Sequence, residues 1–455
     1  MFEIRRFQQA LTRLKSFNIL SQHVAPYSHT IILWVILGYL IRVALIPLVP
    51  NSDSLTLIRV SFVLKERYQL IPTAYPEPVT YLFAFLYSVF DPFLSKGVFK
   101  DFFMNTAYTP DLLSVPFRLS EPGLFTYLFI LKMPFLVFDL LLGLTLLHLL
   151  KDHKQSLLAF KLWMINPISI YVPYAVGQYD IIPVFFIMFS LYLLQNKRMK
   201  LTMLSLGIAG AFKTFALLFV LPITLFSVKE IKGLKEKIAK SLLLIAISLF
   251  PVVLSKIAVY LTPVYYLPTN ISSSQFDING FFGNTLYLLG KPGAPPLIGL
   301  FTFGLDYSIS FKTFALFYDV VYLFPLIYTL LLLALIYRKN ISFNILWKSM
   351  LVFLLLYYAS SLFHQQWFLY VQPFLILLVI EDSRFLKAYA ALIPLYFIYV
   401  LYWAPEAVAF IEAIGLPSVQ FLNIFRSIFS GVCIFIVALM ILPESIIKKI
   451  RRNNS

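Results

Sequence analysis

The chain has 455 residues, 60% of them hydrophobic and only 13% charged, with a mean hydropathy of +0.84. That is too apolar for a soluble domain and predicts an all-α, polytopic integral membrane protein. A formal charge of +16 would suggest nucleic acid in a soluble protein, but here lysine and arginine bracket apolar runs, which is the positive-inside pattern and excludes a nucleic-acid partner.

Residues 1–17 carry Arg5, Arg6, Arg13 and Lys15 and precede an apolar run over 31–49. That run is too long for a signal peptide and predicts a first span with a cytoplasmic N-terminus. Its far end delivers Asn51-Ser52-Asp53-Ser54. Residues 53–78 are too polar to span, and Leu55, Ile58, Phe62, Val63 and Tyr68 predict an amphipathic interfacial helix, so 50–78 form a first external loop. Tyr75-Pro76-Glu77-Pro78 leads into the apolar run 79–90. The run 125–150 contains Lys132, Pro134 and Asp139; the two charges are two helical turns apart and predict a buried ion pair.

Apolar runs follow at 157–174, 181–194, 201–226, 241–261, 315–337, 345–363, 367–380, 385–402 and 422–442. At roughly 20 residues per crossing this predicts about 11–13 transmembrane helices in a single membrane-embedded domain, 1–455. Basic clusters at 197–200, 229–240, 338–339 and 448–452 mark the cytoplasmic side, which puts the loops at 178–180, 262–312, 364–366 and 403–420 on the other. Parity leaves two choices. Either 79–90 does not cross in full, or a further short span hides between 123 and 150. The run 201–226 has basic loops at both ends and is expected to dip in and return near Lys213, which requires protein or a wet cavity around its backbone. The long loop at 262–312 suggests a lid or binding element and holds an Asn270-Ile271-Ser272 glycosylation sequon. The one cysteine, Cys433, rules out an intrachain disulfide.

Polar residues inside or at the rim of apolar runs are functional candidates. Gly177-Gln178-Tyr179-Asp180 forms the tip of a hairpin between two apolar runs, where plain turn chemistry is the alternative. Lys213 lies midway through a long run, too deep to snorkel easily. His364-Gln365-Gln366 suits phosphate or sugar hydroxyls as well as it suits an inert polar turn. Arg59, Lys65, Arg67 and Lys132 are further cations, with lipid headgroups as the alternative partner for Arg59.

In order along the chain come Asp53, Tyr75-Pro76-Glu77-Pro78, KMPFLVFDLLLGLTLLHLL from Lys132, Asn166-Pro167 followed by GQYD, FKTFALLFVLP from Phe212, and FHQQWFLYVQPF from Phe363. That series resembles the membrane-embedded glycosyltransferases of the GT-C superfold, which take a sugar from a polyprenyl-phosphate carrier. Within them it is most similar to the branch related to the first mannosyltransferase of glycosylphosphatidylinositol (GPI) anchor synthesis and its prokaryotic relatives. The resemblance spans 52–222 and 360–373. It implies an inverting transfer of a hexose, most naturally mannose, to a lipid-linked or protein acceptor at the non-cytoplasmic face, in a plasma membrane or endoplasmic reticulum. It also implies that Asp53 is an essential acidic residue of the first external loop.

Transfer from a lipid phosphate to a hydroxyl needs a carboxylate to take the acceptor proton, cations for the departing phosphate, and a pocket that excludes water. Asp53 fits the base, its alternative being a helix cap. Arg59, Tyr75, Glu77, Gln178, Asp180, Lys213, His364, Gln365 and Gln366 are the expected donor and acceptor contacts. A divalent cation on Asp53, Glu77 and Asp180 is possible chemistry, with no cofactor certain. Where the family often carries an acidic pair, this chain has one carboxylate, which leaves open a role beside a partner subunit. A lipid-linked sugar flippase is the alternative function, and it expects a charged path lined by Lys132, Asp139 and Lys213.

Overall fold

The computed structural model describes residues 27–47, 52–70, 77–90, 124–150, 152–263, 323–338, 340–360, 364–401, 412–415 and 418–441. Over these the regular structure is helical, as the apolar periodicity predicts, apart from one backbone bridge from the Leu70 N–H to the Pro263 carbonyl. Tyr75, most of the 262–312 loop and its Asn270 sequon lie outside the described residues.

Side-chain partners fix the direction of each helix. α1 (Ser28–Leu45) runs antiparallel to α4 (Leu124–Leu149), since Arg42 meets Asp139 and the Ile46 carbonyl meets Lys132. α5 (His153–Met164), the single turn α6 (Pro167–Ile170) and a π-helical turn (Tyr171–Val176) climb back along α4, with Trp163 reaching Asp139 and the Tyr174 carbonyl reaching Lys132. α7 (Ile181–Gln195) then runs parallel to α4, Phe138 touching Phe185 and the Gln195 amide donating to the Leu149 carbonyl. The basic loops after α4 and α7 therefore share one end of the molecule, and the Gly177–Asp180 turn lies at the other.

α8 (Met199–Phe212) returns antiparallel to α7, held in register by Ser205 Oγ donating to the Phe186 carbonyl at 2.8 Å. Fourteen residues at about 1.5 Å each extend roughly 21 Å, short of the ~30 Å hydrocarbon core. The chain turns at Lys213, continues as a 3-10 helix (Thr214–Phe219) and α9 (Val220–Val228), and comes back so that Ser227 Oγ lies 3.2 Å from Met199 Sδ. The expected dip and return is present. α10 (Leu234–Leu261) consequently runs parallel to α8, and their backbones approach closely. A Cβ on Gly207 would sit 2.1 Å from the Ser248 carbonyl oxygen, so only glycine fits there.

Between α1 and α4, α2 (Ser52–Arg67) follows the far end of α1, and from Leu57 to Leu64 every residue is buried, including Arg59. α3 (Glu77–Val89) is too short to cross and ends beside the start of α4, with Tyr87 OH donating to the Tyr127 carbonyl at 3.0 Å. Of the two parity choices, a further short span between 123 and 150 is not present, since 124–149 is one continuous helix.

α11 (Leu323–Tyr337) and α12 (Phe343–Ser360) precede a 3-10 helix (Gln365–Val371) that runs into α13 (Gln372–Glu381). α12 and α13 are antiparallel, since Asn344 and Lys348 both reach Glu381 Oε1, at 2.8 and 2.7 Å. α14 (Leu386–Val400) and α15 (Ser418–Ile441) pack together and complete the bundle. Among the described residues four helices are long and apolar enough to cross a membrane alone: Ser28–Leu45, Thr126–Leu149, Leu234–Ala258 and Ile424–Ile441. Several other apolar runs are broken into shorter pieces. The breaks follow from the sequence: Asn166-Pro167 starts a new helix, Gly177 ends one with φ 79°, and Lys213 is extended.

Candidate functional site

Two of those breaks, at Gly177 and Lys213, meet the 3-10 helix Gln365–Val371 at the end opposite the basic loops. The π-helical turn closes at Gly177, whose positive φ favours glycine, and the Gln178 N–H returns to the Val172 carbonyl at 3.1 Å. Asn166 anchors the base of this segment. Its Oδ1 accepts from the Ile168 and Ser169 N–H groups, each at 2.9 Å, while its Nδ2 donates to Gln372 Oε1 at 3.1 Å and Tyr389 OH at 2.6 Å. The cap spares two orphan N–H groups and ties the hairpin to α13 and α14.

Asp180, directly before α7, caps no helix with its side chain and is fully buried. Because α7 and α8 are antiparallel in a fixed register, the residue that ends α8 falls opposite it: Lys213 Nζ lies 3.6 Å from Asp180 Oδ1. The Tyr370 hydroxyl also faces this carboxylate. The lysine ammonium sits over the Tyr179 ring at 5.2 Å and the Trp367 ring at 5.8 Å, and 3.5 Å from Tyr179 OH. Phe215 packs against Tyr357 and Tyr370, with ring centroids 5.2 and 5.1 Å away. The result is an ion pair in an aromatic box. Its carboxylate is sealed, while the lysine side chain remains 19% exposed. An ammonium has three donors, so one can serve the carboxylate and another can face an anion on the open side.

Beneath the box lies a second charged group. Arg42 pairs with Asp139, which also accepts from Trp163 Nε1 at 2.6 Å and Tyr174 OH at 3.0 Å. Arg42 further donates to the Met164 carbonyl at 2.7 Å. The expected Lys132–Asp139 pair is therefore wrong. Lys132 Nζ instead donates to the Ile46 and Tyr174 carbonyls, at 2.9 and 2.6 Å. The sequence reading missed Arg42, although an arginine inside the first apolar span was a visible signal. This layer joins the far ends of α1 and the π-helical turn, so the segment that follows α1 begins next to the one that carries Asp180.

The remaining sequence candidates distribute as follows. Asp53 lies in the first turn of α2, with its side chain outside the described residues. Arg59 is buried in α2, not spread on headgroups. Glu77 pairs with Lys256 Nζ at 2.7 Å. Gln178 is buried beside Asp180 in the turn. His364 is exposed, its ring 5.2 Å from that of Trp367. Gln365 is occupied by packing partners, its Oε1 accepting from Tyr171 OH at 3.3 Å and its carbonyl from Tyr396 OH at 2.9 Å. Gln366 is buried on the same 3-10 helix. Of the carboxylates expected around a divalent cation, Glu77 and Asp180 each face a lysine and the Asp53 side chain lies outside the described residues, among which no three His, Cys, Asp or Glu come together.

Over one stretch, this chain is similar to GPI mannosyltransferase 1. It is 31% identical over 98 residues to that protein of Saccharomyces cerevisiae and 32% identical over 97 residues to that of Eremothecium gossypii. In both cases the match covers 21% of this chain and 24% of the relative, so the chain matches about a quarter of the length of these curated proteins. No protein-family model matches it. No solved structure matches it.

Proposed function

We propose that the chain is a membrane glycosyltransferase that moves a hexose, most naturally mannose, from a polyprenyl-phosphate sugar to a lipid-linked or protein acceptor at its non-cytoplasmic face. The observation that carries this reading is the partly open Lys213–Asp180 pair in its aromatic box, at the end of the bundle opposite the basic loops. The partial similarity to GPI mannosyltransferase 1 supports it. Asp53 takes the acceptor hydroxyl proton as that oxygen attacks the anomeric carbon. The carbon–oxygen bond to the lipid phosphate breaks with its electron pair leaving on the phosphate, and Lys213 stabilises that charge. Asp180 and Tyr370 position the ammonium, Arg59 adds a second cation from α2, and Trp367 offers a ring for the sugar or isoprenoid.

Transport is the weaker reading. A path through Lys132, Asp139 and Lys213 requires mobile charges, whereas Lys132 is held by two carbonyls and Asp139 by Arg42. The test is transfer from labelled polyprenyl-phosphate mannose by the purified full-length chain. Asp53→Asn should lower the rate at least about 100-fold, within the range general-base removal gives. Undiminished transfer by that variant removes Asp53 from the mechanism.

A further inference from the structure

At the opposite end of the molecule, the α7–α8 turn and the first half of α10 line a groove of about 780 Å³. One part of its wall is basic, with Lys197, Arg198, Lys200 and Lys240 against a single acid, Glu236. The other is apolar and includes Leu201, Leu243 and Leu244. Leu201 and Leu243 are 46% and 51% exposed, and only 11% of the spanning stretch of α10 is buried, so the groove opens onto the face of α10 left to the acyl chains of the bilayer. The turn is unusual in itself. Lys197 adopts φ 59° and closes the C-terminus of α7, its N–H returning to the Leu194 carbonyl at 2.9 Å, while the Arg198 N–H returns to that of Leu193 at 2.9 Å. Glycine is the residue suited to that position, yet a cation occupies it.

We propose that this groove is a binding site for an anionic phospholipid of the leaflet on the basic side. Its headgroup phosphate meets Lys197, Arg198, Lys200 and Lys240, and one acyl chain lies along Leu201, Leu243 and Leu244. Charge complementarity selects an anionic headgroup over a zwitterionic one, and the apolar wall selects a lipid over a free phosphate. The site is separate from the Lys213 box, and its test needs no sugar transfer.

The experiment compares retention of dioleoyl phosphatidylglycerol and dioleoyl phosphatidylcholine by the full-length protein in native mass spectrometry. Phosphatidylglycerol should be retained about ten-fold more, with the preference weakening at high salt. A K197Q/R198Q/K200Q variant should abolish the preference, whereas K229Q/K232Q/K235Q, at the same end but outside the groove, should keep it. L243W, which fills the groove and leaves every charge in place, should also reduce retention. Equal loss in the two triple variants, equal retention of the two lipids, or unchanged retention in L243W overturns the proposal. Full displacement by millimolar inorganic phosphate overturns it as well, because the acyl contacts then contribute nothing.

Discussion

Asp180 is a carboxylate withdrawn wholly from solvent, and its nearest counter-charge is 3.6 Å away. Desolvating such a group costs several kcal/mol, so Lys213 offsets a penalty rather than adding a surplus. Lys213→Met should therefore lower stability, by roughly 3 kcal/mol given the lysine's partial exposure, as thermal unfolding in detergent would read. Adding Asp180→Asn should restore most of it, and a double variant as unstable as the single one would contradict the pairing. Activity should behave differently, because the proposed phosphate contact depends on the ammonium itself: the double variant should recover stability and stay inactive. The sequence made both residues visible as polar interruptions of apolar runs. It could not pair them, since that depends on the α7–α8 register, which no local pattern encodes. For Lys132 and Asp139 the local pattern misled. Helical spacing put them on one face, but Arg42, distant in sequence, reaches the carboxylate instead.

At the scale of elements, the helices that build the candidate site are broken where the uninterrupted spans are not, and the breaks present polar side chains that a continuous apolar rod does not. Each break has a local cause and a testable cost. Asn166→Ala removes a cap and two side-chain ties, and should cost about 2 kcal/mol in unfolding experiments. Gly207→Ala forces a methyl against the Ser248 carbonyl and should push α8 away from α10, reducing the melting temperature and, by tilting Lys213, the transfer rate. Wild-type melting in that variant would show that the two helices do not approach as described. The apolar runs and their order were legible in the sequence, and so was the return at Lys213, from basic loops at both ends. The break at Asn166 was not read as one because the apolar run 157–174 continues through Asn-Pro, and the Tyr389 and Gln372 partners that fix it are distant in sequence.

For the whole molecule, the governing asymmetry is basic loops at one end and the Lys213 box at the other. It predicts labelling from opposite sides of a sealed vesicle. Cys433 is fully buried and should stay silent, so His364→Cys and Lys232→Cys can each be read against it. An impermeant thiol reagent should reach Lys232→Cys from the cytoplasmic side and His364→Cys from the other, and labelling of both from one side would invalidate the orientation. The α8–α9 hairpin also bears on how the chain is threaded. Because its two legs start and finish at the same end of the bundle, it adds no net crossing. A translocation machine that inserted it late, or an ancestor that lacked it, would orient every downstream helix identically. The ammonium could thus be acquired, lost or replaced as a plug-in piece without turning the rest of the protein inside out.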